Sequence, residues 1–272
     1  MSKAKRFASA MMRSSLVQAL QEAKNTDLST LGKSIAFSVL VAFFPGVVAL
    51  ISLYGSIADQ SDVALLLQQS AQVLPGPMQP LVSDQVNELT NASSATLGLG
   101  AAFGLATAFW AVSGGLHSIV LAIDTAYEVT QERGLVRGRL VALAMGAVTV
   151  LGAVLVTLLL TGLPAVRGLR PIVGGVSIFV WLVVLYRYAP NRERPAWRHV
   201  MPGASLVFGV GLVATSLMSW YVANFTDYNE TYGVLGGAIV ALFWLYANAV
   251  ILVVGAELNA VVEHRHGRVE AH

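Results

Sequence analysis

Residues 233–262 read GVLGGAIVALFWLYANAVILVVGAELNAVV, thirty positions with a single charged side chain, Glu257. As an α-helix rising about 1.5 Å per residue, this run outlasts the ~30 Å hydrocarbon core of a bilayer, so its last turn or two are expected to leave the membrane. It lacks the apolar–polar alternation of a half-buried strand and is too long for one. Moving outward toward the N-terminus, five further runs of the same kind lie at about Ser34–Ser56, Ala95–Ile123, Leu140–Leu163, Pro171–Ala189 and Val200–Ala223. In lipid every backbone amide must find its partner within its own segment or in a closed barrel. The expected fold class is therefore all-α, a polytopic membrane protein with six transmembrane helices over residues 34–262.

Composition agrees. Of 272 residues, 56% are hydrophobic and 12% charged, about half the ~25% charge of a soluble globular chain. Too little polar surface remains to solvate a globule. Cysteine is absent, which removes disulfides, thiolate metal sites and cysteine nucleophiles.

The net charge of +2 is uninformative, but its distribution is not. Fifteen of the seventeen Lys and Arg fall in residues 1–33, in the second and fourth connections, or after residue 262, and only Arg167 and Arg170 fall on the other side. By the positive-inside rule both termini are cytoplasmic, as an even number of spans requires. Within residues 1–33, Met12, Leu16, Ala19, Leu20 and Ala23 form one helical stripe, the pattern of an amphipathic helix lying on the inner leaflet. The outer connection, residues 57–94, has four acids and no Lys or Arg, with Leu74-Pro75-Gly76-Pro77 separating two short helical stretches of an anionic cap. Residues 263–272 read as a solvated cytoplasmic tail.

Several chemistries have no motif here. There is no glycine loop followed by Lys and Ser/Thr to cradle a nucleotide, no HExxH and no paired metal spacing among the five histidines. No metal or cofactor is expected. The basic residues lie where the positive-inside rule already puts them, with no aromatic platform among them, so nucleic acid is not an expected partner. Glycines spaced as Gly100–Gly104 and Gly233–Gly237 suit close helix packing, within the bundle or between subunits of a homo-oligomer.

A charge inside an apolar span costs at least ~2.5 kcal/mol, which makes each polar residue there a site candidate. His117 and Asp124 share a helical face seven residues apart, and Glu128 and Glu132 continue the stripe. Like charges at that spacing call for external cations, with Arg187, Arg192, Arg194 and Arg198 at the same boundary. An Arg187 pair with Asp124 or Glu128 would latch the second span to the fourth, as a structural clamp or as a gate. Glu257 has Lys33 or Arg187 as expected partners and a depth near the inner interface. Asn248, mid-span, either bonds another helix or lines a polar path. Pro45, followed by Gly46, is expected to kink the first span. At the outer end, Asn224, Tyr228, Asn229 and Tyr232 read as a hydrogen-bonded corner capping the sixth helix or as a substrate vestibule.

Several pieces carry a family likeness: Phe44-Pro45, Leu185-Tyr186-Arg187-Tyr188-Ala189-Pro190-Asn191, Trp197 through Pro202-Gly203, Tyr221 with Asn224-Phe225, Tyr228-Asn229, Thr231-Tyr232-Gly233, Trp244-Leu245-Tyr246 and Gly255-Ala256-Glu257-Leu258-Asn259. In this order and spacing the chain resembles the YihY/BrkB family of bacterial inner-membrane proteins, departing from it at Gly46, where a bulky apolar residue is usual. The resemblance implies a multi-pass protein of the cytoplasmic membrane, linked to serum resistance and to envelope lipid or lipopolysaccharide handling. The older family label of ribonuclease BN has no support in these residues.

The expected function is a transporter or exporter of an amphipathic or anionic envelope component, with membrane lipids as partners. Its gate and path would be Arg187, Asp124, Glu128, Glu257, Asn248, His117 and Pro45, and its outer mouth Asn224, Tyr228, Asn229 and Tyr232. The alternative is a non-transporting scaffold for envelope integrity. An enzyme is not expected, since no nucleophile–base pair is recognisable.

Overall fold

The computed structural model describes residues 15, 17–19, 21, 27–55, 99–129, 133–162, 169–224 and 228–270. Among them there is no strand. The long helices are α1 (Leu28–Gly55), α2 (Leu99–Ala126), α3 (Leu135–Gly162), α4 (Arg170–Tyr188), α5 (Trp197–Asn224) and α6 (Tyr228–Glu270). Ser15, Val17, Gln18, Ala19 and Gln21 are helical as well. The described residues of each apolar run thus lie within a helix, Ala189 at the C-cap of α4 apart, and the helix ends are set by local chemistry.

Asp27 caps α1, its carboxylate accepting the Thr30 N–H at 3.2 Å. The helix continues through Pro45 and Gly46 to Gly55. Pro171 stands in the first turn of α4, where a missing N–H costs nothing. After Tyr188 the chain leaves the helix at Ala189-Pro190, with the Ala189 N–H still bonded to Leu185 O at 2.9 Å. α2 ends in a Schellman closure: Val129 N–H donates to Asp124 O and Glu128 N–H to Thr125 O, both at 3.0 Å. That closure needs a left-handed residue, and Glu128 supplies it at φ 51°.

α5 and the Gly236–Arg265 stretch of α6 are both long and apolar enough to cross a bilayer. Ile172, Val176, Ile178 and Val180 on α4, and Val213, Leu217 and Trp220 on α5, each leave more than half their surface uncovered. Large apolar side chains in such continuity suit a lipid environment rather than water.

The chain forms two compact units, the first of residues 1–32, 117–211 and 249–272, the second of 33–116 and 212–248. In the second, Leu40, Phe43 and Trp244 pack around Ala241, and the Trp244 indole donates to Thr215 Oγ1 at 3.2 Å. The first unit has polar groups at its centre. There Tyr186, Leu258, Val200, Val253 and Ile123 are fully buried together with Asn259.

One expectation is corrected: Glu128 does not continue the helical face of Asp124, because α2 closes at Ala126 and Glu128 is exposed beyond it. α6 runs on past Val262 to Glu270, and Arg265 donates to Gln18 Oε1. Glu132, the outer cap at 57–94 and most of residues 1–26 lie outside the described residues.

Candidate functional site

The first unit is fastened by a buried polar junction of α4, α5 and α6. Tyr186, with no exposed surface, donates its hydroxyl proton to Leu252 O at 2.6 Å. Two turns along α6, Asn259 accepts the Gly203 N–H at 2.7 Å. Pro202 puts a residue without an N–H into α5 just ahead of that bond. The backbones approach so closely that a Cβ on Gly203 would overlap Gly255 O and the Asn259 amide, and one on Gly255 would overlap Val207 and the Tyr186 hydroxyl. Glycine is required at both positions by space.

Next to this junction the end of α2, the start of α3 and the loop after α4 meet. Arg133 donates from Nη1 to Ala189 O at 2.6 Å and from Nε to Asn191 Oδ1 at 3.1 Å, so a cation meets one of the carbonyls left over at the C-terminal end of α4. Asp124 accepts the Asn191 N–H at 2.7 Å. The loop is held from two sides, by a cation on its carbonyl and an anion on its amide.

Three more arginines pack on aromatic rings. Arg187 lies 4.1 Å over Trp197 and donates to Pro195 O at 2.6 Å. Arg194 lies 5.2 Å over Tyr188. Arg192 lies 3.8 Å over Tyr127 and pairs with Glu263 Oε2 at 2.5 Å. Aromatic faces stabilise a guanidinium at such ranges while leaving its edge donors available. Burial pushes the Tyr127 hydroxyl up to about 12, against the opposing pull of the Arg192 cation. Arg133 is lowered by its own desolvation and by Arg137, with Asp124 acting in the other direction.

Between these side chains lies a cavity of about 300 Å³, lined by Arg133, Arg137, Arg187, Arg192 and Arg194 with Asn191 at its wall. Five of the lining residues are arginines and no acidic residue is among the described lining, while Asp124 and Glu263, which bond to Asn191 and Arg192 of the wall, are already engaged. The excess is positive, and a pocket of this size suits the head of a small anionic molecule.

The sequence-derived residues distribute unevenly. Arg187 and Asp124 belong to this region but do not pair with each other, and Glu128 is exposed. His117 is half-buried against Gly138 of α3, where an added Cβ would stand 3.0 Å from its Cε1. Glu257 is 4% exposed, deeper than its place in the sequence implied. Asn248 donates to Trp244 O of its own helix at 2.9 Å. Asn224 likewise donates back to Trp220 O at 2.8 Å. The side chains of Pro45, Tyr228, Asn229 and Tyr232 fall outside the described residues.

Arg133, Tyr127, Asn259 and Glu263 were not singled out as site residues from sequence. The Tyr186–Asn191 and Gly255–Asn259 motifs, which carry the family likeness, were the available signal, because both end at this junction.

Comparison with known proteins gives one family: its model, described as Virulence factor BrkB, matches residues 19–272. A Bacillus subtilis protein named YfkH, called ribonuclease-like, is 30% identical over 85% of this chain and 88% of its own length. UPF0761 membrane proteins of Chromohalobacter salexigens and Rhodospirillum centenum are each 26% identical, over 85% and 90% of this chain. The alignments take in 59% and 56% of those two proteins, so the chain spans little more than half of either. No solved structure matches significantly.

Proposed function

This chain belongs to the BrkB family and is an integral membrane protein, and from that premise we propose that it is a multi-pass transporter or exporter of an anionic, amphipathic envelope component. Its six apolar helices cross the bacterial cytoplasmic membrane with both termini inside. The arginine-lined cavity, which the positive-inside rule puts at the cytoplasmic face, receives the anionic head. The single observation carrying this reading is the cavity itself: five arginines line it, with no acidic residue among its described lining. No nucleotide motif is present in the sequence, so an ion gradient or downhill flow drives the movement. Catalysis is not part of the proposal, and the ribonuclease-like name of the Bacillus relative is not carried over, because the cavity offers cations for holding an anion rather than a free base for cleaving one.

The test is flux in proteoliposomes. Arg137 and Arg194 line the cavity without tying the junction, so Arg137→Gln with Arg194→Gln lowers transfer of a fluorescent anionic phospholipid by about tenfold and leaves a neutral analogue unaffected. Equal transfer by the unaltered and double-substituted proteins removes the proposal.

A second reading has its own support. Arg133, Arg187 and Arg192 each hold a neighbouring carbonyl or carboxylate, which is what a scaffold requires. In that case Arg187→Ala lowers the thermal midpoint and leaves no substrate-dependent phenotype.

A further inference from the structure

Arg192 is held in an unbalanced way. Its Nη1 meets Glu263, and its face is covered by Tyr127. Its other edge, formed by Nε and Nη2, is buried and meets no hydrogen-bond acceptor among the described residues, and Arg187 Nε is in the same condition. The Nε/Nη2 edge is the fork that binds two oxygens of a carboxylate or phosphate in parallel. A buried donor without an acceptor is unfavourable, and because this edge is closed off as it stands, the guanidinium must turn to present it to an anion in the cavity, which draws Nη1 off Glu263. Glu263 satisfies one corner only, through a pair in which both side chains remain partly exposed (21% and 28%). Such a pair is weak.

We propose that Glu263 is a resident competitor, and that a phosphate group entering the cavity takes Arg192 away from it. This rests on the anion-binding reading given above and adds the class of ligand and a consequence of its binding. Phosphate fits better than a second carboxylate because one phosphate monoester brings close to two negative charges and three acceptor oxygens to a site with five cations. Release of Glu263 acts on α6, where Asn259, one turn earlier, holds the Gly203 N–H and Arg265 holds Gln18. Occupancy of the cavity therefore loosens the last turns of α6.

The experiment measures binding of inorganic phosphate and of dioctanoyl phosphatidic acid to the full chain in neutral phosphatidylcholine nanodiscs, with dioctanoylglycerol as the uncharged control. Saturable binding of phosphatidic acid alone identifies a lipid headgroup. Saturation by inorganic phosphate, in competition with the lipid, identifies the free ion. In either case Glu263→Gln binds about fivefold more tightly and Arg192→Gln loses most of the affinity. Hydrogen exchange of the unaltered protein over residues 259–265 rises when the ligand is added, a readout independent of whether either variant folds. Unchanged or weaker affinity in Glu263→Gln, or unchanged or slower exchange, overturns the exchange and leaves anion binding standing. Absence of saturable binding by both phosphate probes, or equal binding of the uncharged control, overturns both.

Discussion

Glu128 shows what one backbone angle does to a functional expectation. By spacing it continues the face of His117 and Asp124, and as a helical residue it would bring a second carboxylate to the arginines. At φ 51° it instead closes α2 and is exposed. The left-handed region is unfavourable for a side chain with a Cβ, and the usual occupant of this position is glycine. Glu128→Gly is expected to raise stability by about 0.5–1 kcal/mol, seen as a higher thermal midpoint in detergent, with anion binding unchanged. A loss of stability there would mean that the Glu128 side chain has a role which its exposure conceals. Tyr127, one position earlier, shows the electrostatic side of the same closure. Its hydroxyl is raised to about 12, so the stability gained by burying it neutral is present below its ordinary value near 10 and is lost as pH rises through 12.

At the scale of elements, α5 and α6 owe their close approach at this crossing to two glycines. Gly203 and Gly255 let the backbones meet, and Asn259 supplies the acceptor that the Gly203 N–H takes next to Pro202. A methyl group at Gly203 has nowhere to go except into Gly255 O and the Asn259 amide, both held in place. Gly203→Ala therefore costs about 1–3 kcal/mol or more by forcing the helices apart, and thermal unfolding in detergent measures it. An effect below ~0.5 kcal/mol would mean that this crossing readily shifts. The length of α6 is the other lesson at this scale. Residues 263–270, a polar stretch without proline, continue the helix past the apolar run, with Arg265 bonded to Gln18.

For the whole molecule the test concerns sidedness. Because the chain has no cysteine, a single introduced thiol is an unambiguous reporter. Arg194→Cys, in the loop after α4, and His272→Cys are each expected to react with a membrane-impermeant maleimide in inside-out vesicles and to stay unlabelled in intact spheroplasts. Labelling of either position from outside would reverse the orientation and remove the cavity from the cytoplasmic face.

The amino-acid sequence alone determined where helices form, because the requirement is local: an apolar run of about twenty residues in lipid has to satisfy its amides within itself. It also gathered Tyr186–Asn191 and Gly255–Asn259 as motifs without showing that they meet. Which arginine pairs with which acid was decided by tertiary structure. Arg192 and Glu263 are 71 positions apart, Asn191 and Asp124 67, and no periodicity connects them. Their pairing depends on where α2 closes, on how the loop from Ala189 to Pro195 folds back, and on how far α6 continues. A change of one residue in any of these turns a side chain to another face, so the same charges on the same helices could have formed a different set of contacts.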